Sequence, residues 1–217
     1  MDRKQTAIVV FKDVEVLDFC GPYEVFAVTR LDESRRREKP SPFNVFLVAE
    51  TKSPVVTAGG MKVLPDYDLD DCPPLDILVV PGGWGTRREM DNGRLIGWIA
   101  ERAGAVEILA SVCTGALLLG KAGLLDGRRA TTHWRSLDWM EELFPKTHVE
   151  KQLHFVEDGA LFTSAGISAG IDMALKIVAR YFGDAVARAT AKQMEYPFPE
   201  SDARRITLDE PTKSRHL

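Results

Sequence analysis

Three short apolar runs each stop at residues that turn a backbone sharply, and helical patterns separate them. Residues 6–11 (TAIVVF), 76–83 (DILVVPGG) and 107–113 (EILASVC) have the continuous apolar character of strands buried on both faces. A fourth such run, 43–50 (FNVFLVAE), follows a charged surface loop at 32–42 that closes with two prolines. Helical patterns are predicted from Pro22 to about residue 31, over 92–103, through TGALLLGKAG (114–123), over 136–144 and over 171–182. Pro22 suits a first helical turn. Strands alternating with helices predict an α/β fold with a mostly parallel sheet covered on both faces, its crossovers right-handed. A short strand is read at 128–134. Gly59-Gly60 and Asp158-Gly159 mark two β-hairpin decorations.

The chain of 217 residues suits a single domain with a core of about 5–185. Residues 186–217 are read as a C-terminal extension, and the proline-rich part from 196 as a polar, extended tail. Hydrophobic residues make up 45% of the chain, enough for a soluble globular core. The net charge of -4, with acids and bases interspersed, argues against a nucleic-acid partner. No apolar run is long enough for a membrane span. The apolar N-terminal run is short and leads into Lys12 and Asp13, so it reads as a strand and not a signal peptide. Cys20, Cys72 and Cys113 are unclustered and form no CxxC pair. That spacing predicts a reducing cytoplasm, no disulfide and no metal site.

In open parallel sheets, sites gather at the carboxyl ends of strands, here after Phe11, Val80 and Val112. Cys113 sits where a strand turns into a helix. A lone cysteine is ordinarily a small buried hydrophobe. The setting Ser111-Val112-Cys113-Thr114-Gly115, with small residues two before and two after, is instead that of a nucleophile elbow. A helix N-terminus there is expected to lower the thiol pKa. The glycines of Pro81-Gly82-Gly83-Trp84-Gly85 either form a flexible connection or aim amides inward. In the second case the amides of Gly83 and Thr114 form an oxyanion hole. Asp18 is either a helix cap or a desolvated carboxyl with a raised pKa that moves protons. Cys20 is read as a pocket or core neighbour. His133 is a weaker candidate partner of Cys113, since no spacing rule joins them. Cys72 is read as a loop residue, and His148, His154 and His216 as surface residues.

Three segments together resemble the ThiJ/PfpI superfamily, the class I glutamine amidotransferase-like fold. They are VVPGGWG (79–85), ASVCTGALLLGKAGLLDGRRATTHW (110–134) and SAGISAGIDMAL (164–175). Within it the chain is most similar to the isocyanide hydratase branch, through Leu17-Asp18-Phe19-Cys20-Gly21-Pro22, SVCTG, ATTHW, CPPLD (72–76) and QMEYPFP (193–199). The resemblance implies a flavodoxin-like three-layer sandwich, a homodimer, a small-molecule substrate and no cofactor. It also implies a reaction: Cys113 attacks an isocyanide carbon, Asp18 moves protons, Thr114 and Gly83 position substrate or water, and an N-substituted formamide leaves. Trp84 stands where that branch usually carries a small or polar residue, so it reshapes the pocket. Cys20 also bears on the choice of substrate.

Two other readings are compatible with the same superfamily. One is a hydrolase or aldehyde-handling enzyme, which gains if His133 lies within hydrogen-bond reach of Cys113. The other is not enzymatic: a cysteine redox sensor, or the sensor half of an AraC-type regulator. The regulator is disfavoured because no basic helical pair follows the domain.

Overall fold

The computed structural model describes residues 2–208. The strands are β1 (Lys4–Val9), β2 (Phe43–Ala49), β3 (Val55–Val56), β4 (Lys62–Val63), β5 (Tyr67–Asp68), β6 (Ile77–Val80), β7 (Ile108–Val112), β8 (Arg129–Ala130), β9 (His148–Val149), β10 (Phe155–Asp158) and β11 (Leu161–Ser164). The helices are α1 (Val16–Val28), α2 (Thr86–Glu89), α3 (Gly93–Ala103), α4 (Gly115–Lys121), α5 (Leu137–Leu143), α6 (Ala169–Phe182) and α7 (Asp184–Gln193).

Seven strands form the main sheet in the order β10-β11-β7-β6-β1-β2-β5. All neighbours are parallel except β10 with β11. Ala7 on β1 pairs with Phe46 on β2 and Leu78 on β6, and Val80 pairs with Ser111 on β7. This register sets the carboxyl ends of β1, β6 and β7 side by side. From β1 the chain crosses to β2 on one side, and from β6 it crosses to β7 on the other. Right-handed crossovers therefore place α1 and α3 on opposite faces, and the switch point between β1 and β6 opens a crevice. All four residues of β6 and all five of β7 are buried, as continuous apolar runs require.

Several features differ from the reading of the sequence, and the short strand read at 128–134 shrinks to Arg129–Ala130. Helix α1 starts at Val16, so Pro22 lies in its interior and not its first turn. Packing outweighs the lost hydrogen bond: a Cβ on Gly21 would stand 2.9 Å from Ile171 of α6, and one on Gly170 3.4 Å from Pro22. These glycines let α1 and α6 approach closely. The second hairpin, β10–β11, forms the edge of the main sheet and is no appendage. The first, β3–β4, is a separate two-stranded sheet.

The stretch after residue 193 also folds back on the domain. Ala203 bridges to Leu153, and Arg204 N–H donates to the Gln152 carbonyl at 2.7 Å. Finally, His154 is buried, its Nε2 2.9 Å from Asp172 Oδ2, while Arg205 donates to Asp172 Oδ1 at 2.9 Å. With no motif around it, His154 reads as a surface residue until the returning chain covers it. His216 lies outside the described residues.

Candidate active site

Cys113 directly follows β7, with φ +56°, a conformation that L-residues adopt only under constraint. The constraint is visible. Cys113 N–H donates to Ser164 O at 3.1 Å, and Thr132 Oγ1 donates to the Cys113 carbonyl at 2.8 Å. The close strand-to-helix turn depends on Gly115, where a Cβ would run into the Val80 carbonyl oxygen. The side chain is nearly enclosed, at 6% exposure.

Asp18 occupies the first turn of α1, and Glu15 takes the cap position that the carboxyl was one candidate to fill. Asp18 is fully buried. Gly82 N–H donates to its Oδ2 at 3.0 Å, while Oδ1 is buried without a hydrogen-bond partner. The carboxyl and the Cys113 thiol lie close enough for each to act on the other's titration. Burial pushes the Asp18 pKa up to about 8, helped by the charge of Glu15 and opposed by the Gly82 amide.

Burial also pushes the Cys113 thiol well above its ordinary value, and the Asp18 charge adds to this. The amide and hydroxyl of Thr114 act the other way. The helix N-terminus therefore does not lower the thiol pKa as expected, because desolvation outweighs the dipole. Burial thus favours the protonated form of both groups.

The Pro-Gly-Gly turn is tied down more tightly than its glycines imply. Gly83 bridges to Val14, Glu15 N–H donates to Gly82 O at 2.9 Å, and Gly85 N–H donates to Asp13 O at 3.1 Å. Gly83 N–H donates to Thr114 Oγ1 at 3.0 Å, and that hydroxyl also pairs with Thr86 Oγ1 at 2.9 Å. The Gly83 proton is thus committed to Thr114 and not presented to a ligand. The Thr114 amide faces the Cys113 sulfur.

His133 comes to the site from the other side. A Cβ on Gly166 would lie 2.6 Å from His133 Cδ2 and 2.7 Å from Cys113 Sγ, so both crowd against one glycine. The ring accepts the Arg135 N–H at Nδ1, and burial lowers its pKa to about 4. Among the described residues no hydrogen bond joins His133 to Cys113. Trp84 is 61% exposed, beside Gly83. Cys20 is half-buried on α1, and burial raises its thiol. Cys72 is in a loop but buried, and burial pushes its thiol to about 11.

Sequence reading passed over Thr86, Thr132 and Gly166. Thr132 stood in the quoted ATTHW segment, but nothing local marks its hydroxyl as the prop of the elbow. Among the described residues no three His, Cys, Asp or Glu side chains group to hold a metal ion, and no helix is long and apolar enough to cross a membrane.

The sequence signature of the DJ-1/PfpI family matches residues 4–180. The chain belongs to the DJ-1/PfpI family. One DJ-1/PfpI relative, the isonitrile hydratase of Pseudomonas putida, is 36% identical over 200 residues, 92% of this chain and 82% of that one. Another, the HTH-type transcriptional regulator CdhR of Pseudomonas aeruginosa, is 36% identical over 140 residues. That match takes in 64% of this chain but 41% of the regulator. The crystal structure of a THiJ/PfpI family protein from Pseudomonas syringae superposes with a TM-score of 0.79 at 29% identity, covering 93% of this chain and 79% of that one. The DJ-1/PfpI family thus includes both an enzyme and regulators among the relatives of this chain.

Proposed function

We propose that the protein hydrates isocyanides to N-substituted formamides, with Cys113 as nucleophile and Asp18 as proton carrier. The observation that carries this reading is a buried, neutral carboxyl beside an elbow thiol, in a chain related to an isonitrile hydratase. An isocyanide carbon accepts a proton and a nucleophile at the same atom. Asp18 gives its proton to that carbon as sulfur attacks it, and the resulting carboxylate takes the thiol proton. The net step adds S–H across the carbon and forms a thioimidate. Asp18 then protonates the imidate nitrogen and takes a proton from the attacking water. Collapse of the adduct expels the Cys113 thiol and releases the formamide.

A site that starts with both protons in place suits this sequence, because the first demand is for an acid. The test is formamide production from a panel of aryl and alkyl isocyanides by wild type and Cys113→Ala. Turnover by the wild type alone supports the reading; no wild-type turnover across the panel overturns it. The expected homodimer and cytoplasmic setting belong to the same proposal, and sedimentation velocity tests the dimer.

A second reading, ligand or redox sensing by the same pocket, is favoured by the regulator relatives. It predicts ligand binding or thiol oxidation without formamide release in the same assay.

A further inference from the structure

Among the described residues, two arginines beside the site have no anionic partner. Arg87 lies between two indoles, its Cζ 4.7 Å from the Trp84 ring centre and 5.4 Å from that of Trp139. Arg135 lies over Trp134, also at 4.7 Å. Neither guanidinium meets a carboxylate or carbonyl of the described residues. Among the described residues every other arginine except Arg37 does, from Arg3 on Ser41 and Phe43 to Arg205 on Asp172. Both side chains are exposed, so their N–H donors are open to an anion from solution.

Their position follows from the backbone. Trp84 succeeds Gly83, whose amide holds Thr114 next to the nucleophile. Trp134 and Arg135 succeed His133, whose ring crowds Gly166 together with Cys113 Sγ. The charge of Arg135 is felt at the His133 ring. The two stacks adjoin, since Trp139, the second indole against Arg87, lies on α5 four residues beyond Arg135. Trp84 and Trp134 also leave broad apolar surface open, at 61% and 38% exposure.

We propose that this mouth selects substrates that carry a flat aromatic group with an anionic substituent such as a carboxylate. The ring lies against the indole faces, and the carboxylate takes the free in-plane N–H donors of Arg87 or Arg135. Stacking on an indole leaves a guanidinium's edge free and limits its rotamers, so less freedom is lost when an anion binds. A carboxylate matches that edge with two parallel hydrogen bonds. A purely aliphatic group would cover the donors without pairing them, which costs binding. The inference deepens the hydratase reading by naming the substrate class, and rests on that reading only for the reacting end.

The test separates the two. Protection of Cys113 from iodoacetamide, read by mass spectrometry, is compared for 2-naphthoate and its neutral amide. Wild type is expected to be protected at about tenfold lower concentration of the acid than of the amide. Arg87→Gln and Arg135→Gln should each reduce that preference, and the double variant should abolish it. Equal protection by acid and amide, no protection by either, or a preference unchanged in the double variant overturns the proposal. The last result, with a changed sedimentation coefficient, would assign the arginines to contact with a second copy. In parallel, kcat/KM for 4-isocyanobenzoate should exceed that for phenyl isocyanide in wild type and not in the double variant; no excess in a wild type that turns over both also overturns the proposal. If the acid protects preferentially but no isocyanide turns over, the mouth stands and the hydratase reading falls.

Discussion

The Gly82 amide donates to Asp18 Oδ2 at 3.0 Å, joining residues 64 positions apart and leaving the other carboxyl oxygen unpartnered beside the nucleophile. One bond thus orients the acid, and burial favours its protonated form.

The first consequence is a stability that depends on pH. The Asp18 pKa is about 8 in the fold against 3.8 ordinarily. Between those values the folded state keeps a proton that the unfolded chain has lost, so stability falls as pH rises. The contribution is complete below about pH 4 and declines by about 1.4 kcal/mol per pH unit toward pH 8. Asp18→Asn should remove this slope. Urea melts of both proteins at pH 5 and 7.5 check it; parallel losses in the two would refute the assignment.

The same substitution should separate catalysis from thiol reactivity. Formamide production by Asp18→Asn should drop by roughly 100-fold or more, the usual worth of a positioned acid or base. Because the Asp18 charge raises the Cys113 pKa, its removal should shift the pH midpoint of Cys113 alkylation downward. Full activity in the variant would remove Asp18 from the mechanism.

Gly115 should not tolerate alanine. Its Cβ would overlap the Val80 carbonyl oxygen, which belongs to the sheet and cannot swing away. Gly115→Ala is expected to cost about 3 kcal/mol or more, a drop of roughly 6–12 °C in Tm for a chain of this size. A differential scanning measurement within 2 °C of wild type would contradict the close strand-to-helix approach.

The returning C-terminal chain should matter to the site. Arg204 donates to Lys151 O at 2.7 Å, Thr131 Oγ1 at 2.9 Å and Thr132 O at 3.2 Å. It therefore steadies the segment from which Thr132 props the Cys113 carbonyl. Arg204→Ala should speed amide exchange in residues 130–134 and lower kcat more than it raises KM. Unchanged exchange there would mean that the strap carries no load for the elbow.

Asp172 should act as the anchor of the neighbouring buried pair. Replacing it with alanine leaves His154 and Arg205 facing an empty site. The expected loss is about 3–5 kcal/mol, measured by urea denaturation, with Asp172→Asn losing less.

The order of strands and helices was readable because each core strand is a continuous apolar run bounded by turn residues, and those are local signals. The elbow was readable for the same reason: Ser111, Cys113 and Gly115 lie within five residues. Helix α1 was misread at its start because Pro22 is a strong local signal against an interior position. Only the packing of Gly21 and Gly170 between α1 and α6 overrides it. His154 was misread because its partner Asp172 is 18 positions away, and Arg205, which shares that carboxylate, is farther still.

The sequence by itself determined the α/β plan, the elbow and the residue types gathered at the strand ends, since backbone propensity and apolar periodicity act over short spans. Only the tertiary structure decided the protonation of the site. Burial of Asp18 and Cys113 together raises both pKa values, reversing the effect a helix N-terminus alone would have on the thiol. Only the fold, too, committed the Gly83 amide to Thr114 and left Arg87 and Arg135 without anionic partners among the described residues. Desolvation and pairing depend on what surrounds a group in space, and chain neighbours supply little of that.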